Sequence, residues 1–507
     1  MTSEGPNILF LFTDQQRLDT IGALGNPIIR TPVLDRLCEE GTSFTRCYTP
    51  CPVCVPARAA MVTGLPPHQT GCCHNGSKID ESIPSFMQRL TECGYQTHGI
   101  GKMHFTPSRT RMWGFESRDV SERREDDDYR RFLDENGFGY ILEPHGALSE
   151  MFSIPQVSQM PAHLHESSWV ADRSIDFLRR RDRSRPFFLW SSFFSPHPPF
   201  AAPVPWNKIY RAAEMLPPRR TAEDDNLITF WNRVQDRADY RDRGFDEWLM
   251  RTIKAMYYAS ISFVDYNIGR ILQALGDEIE NTLIVFTSDH GELLGDYGCL
   301  GKRSMVDASS RVPLIVRWPD GGNAGSVYDE PVSLLDIHPT LLNAAGHEEP
   351  RVHEEGRDLA GILNGEARDR MVFSQYRDGG FGVHMAVRKS RKYVFSAPDQ
   401  REWLFDLDAD PRETHDFGHN AMYAEDLASL RQALFRRYRA DGYTNPLEDA
   451  GWRCYPKRAM AANPDIGLSI QHPERLQAEL RKLGPYAPDR LPPAMWLGKA
   501  ASSMGFE

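Results

Sequence analysis

The chain has 507 residues, 40% of them hydrophobic and 25% charged, the composition of an ordinary globular protein with a large core in roughly two to four domains. A formal net charge of -11, with no strongly basic half, argues against nucleic acid as the main partner, although a few Lys and Arg residues can still dominate a cleft built for an anion. No run approaches the ~18 apolar residues that span a bilayer, Ile8–Phe12 is too short for a secretory h-region, and nine cysteines without framework spacing fit a reducing compartment. No membrane association and a cytoplasmic location are therefore expected.

Asn7–Thr13 reads as a buried strand ending in the polar group Thr13-Asp14-Gln15-Gln16. Thr31-Pro32 opens a helix through Leu37, with threonine as cap and proline at the first helical position. Pro56 suits another start, for a helix over Ala57–Thr63 that Gly64 ends. Cys54 then stands just before a helix N-terminus, where backbone N–H groups favour an anion. Tyr95–Met103 and Arg185–Phe194 are further strands, and the interleaved charges of Glu122–Arg131 read as a solvated face. Tyr257–Leu275 has helical periodicity, and Asn281–Thr287 is a strand running into Ser288-Asp289-His290-Gly291. Val312–Trp318 repeats the strand pattern and Leu334–Ala345 is helical.

Strands alternating with helices indicate an α/β fold with a mainly parallel or mixed sheet, in which ligands bind beyond the carboxyl ends of strands. Asp14, Lys102-Met103-His104, His197 and Asp289-His290 all follow expected strands, and that shared placement gathers them into one candidate site. Near residue 370 the pattern changes. Val372–Tyr376, Val383–Val387, Lys392–Ser396 and Trp403-Leu404-Phe405-Asp406 are short strands, and a helix over Ala424–Tyr438 would cover them. The expected division is a catalytic α/β domain over 1–368, a smaller α+β domain with an antiparallel sheet over 369–444, and an extended arm over 445–507. Such a Pro- and Trp-rich tail could cross to a neighbouring subunit in a homo-oligomer.

Cys54-Val55-Pro56-Ala57-Arg58, continued to Gly64, is the most informative stretch. One alternative makes Cys51-Pro52-Val53-Cys54 a metal or redox pair, but no second pair stands at zinc-finger spacing and a thioredoxin-like βαβ context is absent. Asp14 and Asp289-His290, with the amide oxygen of Gln15, offer a divalent cation a hard, oxygen-rich site; a lone Asp after a strand would otherwise be a cap or turn former. Lys102 and His104 would project to one side of an extended segment, or else mark a solvated strand end. His197 sits in the stiff loop Ser195-Pro196-His197-Pro198-Pro199, where an incidental imidazole and a functional one are equally good readings of the residues alone. Arg58 lies one helical turn beyond Cys54, on the same face. Asn75 precedes Gly76 and could be a left-handed turn residue.

The Cys54–Gly64 run resembles the signature of the formylglycine-dependent sulfatases, and the chain is identified as a member of that alkaline-phosphatase-like superfamily. The resemblance implies a central mixed sheet flanked by helices, with a smaller C-terminal α+β domain. It implies oxidation of Cys54 to formylglycine by a formylglycine-generating enzyme. The hydrated aldehyde then attacks sulfur through one hydroxyl and expels sulfate through the other. Ala57 stands where the family usually has Ser. By the same resemblance Asp14, Gln15, residue 54, Asp289 and His290 hold one divalent metal. The family's usual Asp-Asp is here Asp14-Gln15, and this loss of a carboxylate beside an imidazole shifts the expected ion from Ca²⁺ toward Mn²⁺ or Zn²⁺, with Ca²⁺ kept open.

Carried over in the same way, Lys102 binds the sulfate and the nucleophile, His104 accepts the proton that drives collapse, and His197 protonates the leaving alcohol. Lys302, in Gly301-Lys302-Arg303, binds sulfate, Arg58 orients the formylglycine, and Asn75 matches an Asn near the nucleophile in the branch of choline sulfatases and phosphonate monoester hydrolases. The likeness reappears in Trp403-Leu404-Phe405-Asp406 and Asp410-Pro411-Arg412-Glu413. The expected substrate is a small-molecule sulfate monoester, whether aryl, sugar or alkyl. Phosphonate monoester and phosphodiester hydrolases carry Tyr and Thr where this chain has Lys102 and His104, which favours sulfate. Choline sulfatase is a narrower alternative whose choline-binding tail is not recognisable after Asn445. A non-catalytic binding protein with unmodified Cys54 is a reading of a different class. Substrate specificity is expected in the loops Thr106–Gln159 and Trp206–Trp248 and in the arm.

Overall fold

Every residue of Asn7–Asp14 (β1) is buried, and its side chains alternate between two cores. Ile8, Phe10 and Phe12 pack with Val55, Ala59, Phe86 and Leu341 on one face, while Leu9 and Leu11 join Leu34, Ile268 and Leu272 on the other. A strand covered on both faces carries no polar alternation, which is why the run is continuously apolar. The computed structural model describes residues 5–80, 82–122, 127–147, 153–240, 245–347, 355–366, 368–449, 451–460 and 480–487.

Around β1 an eight-stranded sheet is built from Thr42–Phe44 (β2), Gln96–Gly101 (β3), Ser117–Val120 (β4), Phe187–Pro196 (β5), Thr282–Ser288 (β6), Leu314–Arg317 (β7) and Ser326–Tyr328 (β8). Its spatial order is β8–β2–β7–β6–β1–β5–β3–β4. The run from β6 to β4 is parallel, whereas β7 is antiparallel to both β6 and β2, so the sheet is mixed. Pro32–Glu40 (α1), Glu166–Arg180 (α4) and Glu247–Leu275 (α5) cover one face; Cys54–Thr63 (α2), Phe86–Glu92 (α3) and Ile337–Ala344 (α6) cover the other.

Two local expectations are changed by tertiary contacts. Thr31 does precede α1, but its side chain makes no cap; the α1 N–H groups of Val33 and Leu34 donate instead to Asp265 on α5, at 3.2 and 2.8 Å. The expected strand Val312–Trp318 divides at Pro313, which has no N–H to give: Arg311–Val312 joins a separate three-stranded sheet and β7 joins the main one.

Met371–Tyr376 (β9), Val383–Arg388 (β10), Arg391–Ser396 (β11) and Arg401–Asp406 (β12) form an antiparallel meander. Ala424–Ala440 (α7) covers one face, where Leu430, Leu434 and Phe435 pack with Ala386, Tyr393 and Leu404. Val372, Val383, Met385 and Trp403 on the other face pack with Tyr48, Val53, Leu293 and Met305 of the larger body. Buried Lys392 pins this seam, reaching Asp307 on one side and Glu413 Oε1 at 2.7 Å on the other. Trp452 stacks on Phe395 with ring centroids 4.2 Å apart, so the beginning of the expected arm lies on the small sheet; residues 461–479 and 488–507 of it lie outside the described residues. No helix among the described residues is long and apolar enough to cross a membrane.

Candidate active site

Strand register brings the first two acidic groups together. Thr13 of β1 pairs with Ser288 of β6, so Asp14 and Asp289 are the next residues of adjacent parallel strands. On the other edge of β1, Asp14 pairs with Pro196 of β5 across a register shift, which brings His197 to the same rim. Gly101 of β3 pairs with Ser192 of β5, and Lys102 follows. Gly101 is at φ 85°, and a Cβ there would lie 2.0 Å from the Ser192 carbonyl oxygen, so only glycine lets β3 close on β5 at this point.

Helix α2 delivers residue 54. All ten of its residues are buried: Val55, Ala59, Met61 and Val62 pack into the core, while Cys54 and Arg58 face the charged cluster at the sheet rim. Gly64 ends it at φ 68°, where a Cβ would meet the His338 ring at 3.0 Å. Cys54 is the first helical residue, with Val53 as N-cap. The Val55 N–H beside it donates to Asn75 Oδ1 at 3.0 Å. Neither Asn75 nor Gly76 is left-handed, but both lie within a turn that the Ser77 N–H closes on the His74 carbonyl at 2.9 Å, and this turn aims the Asn75 amide oxygen at the first turn of α2.

Cys54 Sγ lies 3.1 Å from His290 Nε2, 3.1 Å from Lys302 Nζ and 3.7 Å from Asp14 Oδ1. Asp14, Cys54, Asp289 and His290, all buried, each offer a ligand atom within 4.8 Å of the others. Cys51 is outside this group, and no disulfide joins it to Cys54. His290 Nδ1 lies 3.0 Å from the Gly291 carbonyl oxygen; a carbonyl only accepts, so Nδ1 carries a proton and Nε2 is the ring atom that faces the cluster. Two carboxylates and one such imidazole fit a divalent cation, with residue 54 and Gln15 Oε1 at hand as further donors.

Three cations balance these carboxylates. Arg58 donates to Asp289 Oδ2 at 2.9 Å and to Asp14 Oδ2 at 3.0 Å. Lys102 Nζ is 2.6 Å from Asp14 Oδ2, and Lys302 Nζ is 2.6 Å from Gln15 Oε1. Burial alone would raise Asp14, but Lys102, His197, Arg58 and Lys302 outweigh it and hold the carboxyl well below the usual range. Burial and Asp14 push the Cys54 thiol up, while Lys302, His290 and Lys102 pull it down further, for a net lowering.

Lys102 and His104 are not on one extended strand as the alternation argument supposed. β3 stops at Gly101 and His104 is left-handed at φ 56°, its N–H held by Glu122 Oε1 at 2.8 Å. Burial, then Lys102, Arg109 and Arg58, depress the His104 imidazole well below its ordinary pKa, and its buried Nδ1 has no hydrogen-bond partner among the described residues. His197 Nδ1 donates to the Pro198 carbonyl at 2.6 Å, and its ring packs on Phe194, the ring that also carries Lys102 Nζ at 4.9 Å. Glu292 and Tyr257, which hold Gln15, were not singled out in the sequence. Glu292 had a local signal, an acidic residue two positions after the ligand-like His290, whereas Tyr257 lay in a helix read only for its periodicity.

The chain matches a family model described as Sulfatase over residues 6–347 and one described as N-sulphoglucosamine sulphohydrolase, C-terminal, over 295–440. It is 31% identical over 476 residues to an arylsulfatase of Clostridium perfringens, covering 87% of this chain and 96% of that protein. It is also 31% identical over 470 residues to a choline-sulfatase of Rhizobium meliloti, covering 89% and 90%. Among solved structures, the phosphonate monoester hydrolase of Agrobacterium radiobacter superposes with a TM-score of 0.74 at 27% identity, over 86% of this chain and 96% of that one. With the signature run, the mixed sheet and the acidic, cation-ringed cluster at its rim, these likenesses agree: the chain belongs to the sulfatase family and is a sulfuric ester hydrolase.

Proposed function

We propose that this protein hydrolyses sulfate monoesters with a formylglycine made from Cys54 and one divalent cation held by Asp14, Asp289, His290 and residue 54, with Gln15 Oε1 beside them. The observation that carries this reading is the position of Cys54 Sγ, within 3.1 Å of both Lys302 Nζ and His290 Nε2 at the first residue of a buried helix. The thiol sulfur there stands in for the hydroxyl oxygens of a hydrated aldehyde. That diol would supply one hydroxyl to attack sulfur and a second whose deprotonation releases sulfate, and a cation in the cluster would polarise a sulfuryl oxygen. The oxygen donors with a single imidazole suit Mn²⁺ or Ca²⁺, with Zn²⁺ a further candidate.

The remaining work falls to side chains of this chain. Lys102, Lys302 and Arg58 converge where negative charge grows in the transition state. His197, its Nδ1–H directed to Pro198, would as the imidazolium offer its Nε2 proton to the leaving oxygen. His104 is kept neutral by burial and neighbouring cations, so Nδ1 can take a proton from the second hydroxyl. Nine free cysteines support a reducing, cytoplasmic setting, where a formylglycine-generating enzyme must meet the chain before Cys54, 1% exposed, is buried.

The likeness to a phosphonate monoester hydrolase supports a second reading, activity on phosphonate monoesters or phosphodiesters. The test is coexpression with a formylglycine-generating enzyme, mass analysis of the Cys54 peptide, and a panel of sulfate, phosphonate and phosphodiester p-nitrophenyl esters. Conversion with sulfate preferred is expected, and Cys54→Ser in a host that oxidises only cysteine should fold but not turn over. Turnover by a chain carrying only the thiol would sink the mechanism.

A further inference from the structure

Glu292 is buried, contacts none of the substrate-facing cations by hydrogen bond, and has no part in the mechanism above, yet three donors converge on its carboxylate. Gln15 Nε2 donates to Oε2, while the N–H groups of Gly301 and Leu294 donate to Oε1, the latter at 3.1 Å. A carboxylate can only accept, so it selects the amino side of the Gln15 amide. On its other side the same amide meets Lys302 Nζ, which can only donate, at 2.6 Å from Oε1. The amide is thus held between an obligate acceptor and an obligate donor, and its oxygen is turned toward Lys302, which in turn touches Cys54 Sγ and His290 Nε2.

The backbone of Gln15 is constrained as tightly. It is left-handed at φ 70°, its N–H donates to Asp289 Oδ1 at 3.0 Å, and its carbonyl accepts from Tyr257 Oη at 2.6 Å. Backbone contacts alone do not choose which end of a symmetric-looking amide faces the cluster, because a half-turn about the last side-chain bond exchanges O and N in nearly the same space. Glu292 makes that choice. Through Gly301 it also holds the residue immediately before Lys302, so one carboxylate sets both partners of the Gln15–Lys302 contact.

We infer that Glu292 is a positioning residue that fixes the Gln15 amide oxygen toward the Asp14–Cys54–Asp289–His290 cluster and anchors the Lys302 loop, and so sets the affinity of the cluster for a divalent cation. The inference rests on the proposed cation site. It predicts an unusual reciprocity. In Glu292→Gln, the new amide keeps its oxygen on the Gly301 and Leu294 N–H groups and presents NH₂ to Gln15, which must flip and aim its own NH₂ at Lys302 and the cluster. In Gln15→Glu, two carboxylates face each other in the dry interior. In the double exchange Q15E/E292Q, the amide NH₂ now at position 292 donates to the carboxylate now at position 15, and an oxygen again faces Lys302.

The experiment titrates metal-free full-length protein with Mn²⁺ and, in parallel, Ca²⁺ by calorimetry, for wild type, E292Q, Q15E and Q15E/E292Q. Thermal midpoints and p-nitrophenyl sulfate kinetics are recorded on the same samples. Each single variant should weaken cation binding about 10–100-fold, and the double exchange should restore it to within about threefold of wild type, a recovery that a merely structural carboxylate would not produce. Should a single variant fail to fold, a folded double variant that binds the cation supports the inference and an unfolded one overturns it. Unaltered cation affinity in E292Q, a double exchange no better than the weaker single, or a wild type that binds neither ion overturns it too. Failure of the sulfatase reading is separate: it shows as absent sulfate ester turnover in wild type, whatever the binding data.

Discussion

Arg58 and Asp14 form an ion pair of 3.0 Å in which neither side chain has any solvent exposure, and the same guanidinium holds Asp289 at 2.9 Å with equal burial. The planar fork of arginine reaches both carboxylates at once, which a lysine cannot do. Without it, two strand-end carboxylates would face each other in a dry interior.

Replacing Arg58 with Ala should therefore destabilise the metal-free protein by about 3–5 kcal/mol, the usual cost of leaving a buried charge uncompensated. Arg58→Lys should recover only part of that loss. Urea unfolding with chelator present measures both. Unchanged stability in Arg58→Ala would mean that Lys102 and Lys302 alone balance the carboxylates.

A bound cation should stabilise the fold by mass action, by about 2.7 kcal/mol at a hundredfold excess over its dissociation constant. The thermal midpoint should rise with Mn²⁺ or Ca²⁺, fall back with chelator, and not respond in Asp289→Asn. A midpoint indifferent to both ions would remove the cluster from cation binding.

Deleting the imidazole of His197 should matter only where the leaving oxygen needs a proton. His197→Ala is expected to lose about 10²–10⁴-fold in kcat/KM on an alkyl sulfate, the usual worth of general acid catalysis, and far less on p-nitrophenyl sulfate. Equal losses on the two esters would take the residue out of that role.

Asp265 offers a pH signature away from the site. Burial raises its carboxyl to about 7, against the opposing hydrogen bonds from Leu34 and Val33. Below its ordinary pKa both folded and unfolded states are protonated and there is no cost. As pH rises from about 4 to about 7 the unfolded state ionises first, so stability falls and then levels off. Asp265→Asn keeps an acceptor for α1 and removes the titration. At about pH 8 the variant should exceed wild type by up to about 4 kcal/mol, given ~1.4 kcal/mol per pKa unit. The gap should close near pH 4. A gap independent of pH would show that Asp265 is already ionised in the folded protein.

The sequence by itself determined the α/β class, the change of pattern near residue 370 and the strand ends at which the candidate residues stand. Buried strands, a proline at a helix start and a strand ending in Asp or His are local patterns, set by backbone sterics and by burial on both faces, and they survive in any tertiary setting that keeps the sheet. Most of the named residues, from Asp14 and Cys54 to Asp289, His290 and Lys302, accordingly meet at one rim. The path from Lys102 to His104 was misread as extended, because the strand stops where Gly101 turns left-handed against Ser192. Only the tertiary structure decided what holds the site. Gln15 is oriented by Glu292, 277 positions away, and by Tyr257, 242 away, and α1 is capped by Asp265 across 231 residues. Such contacts exchange a buried donor for a buried acceptor between segments that share no local pattern, so only the folded arrangement could pair them.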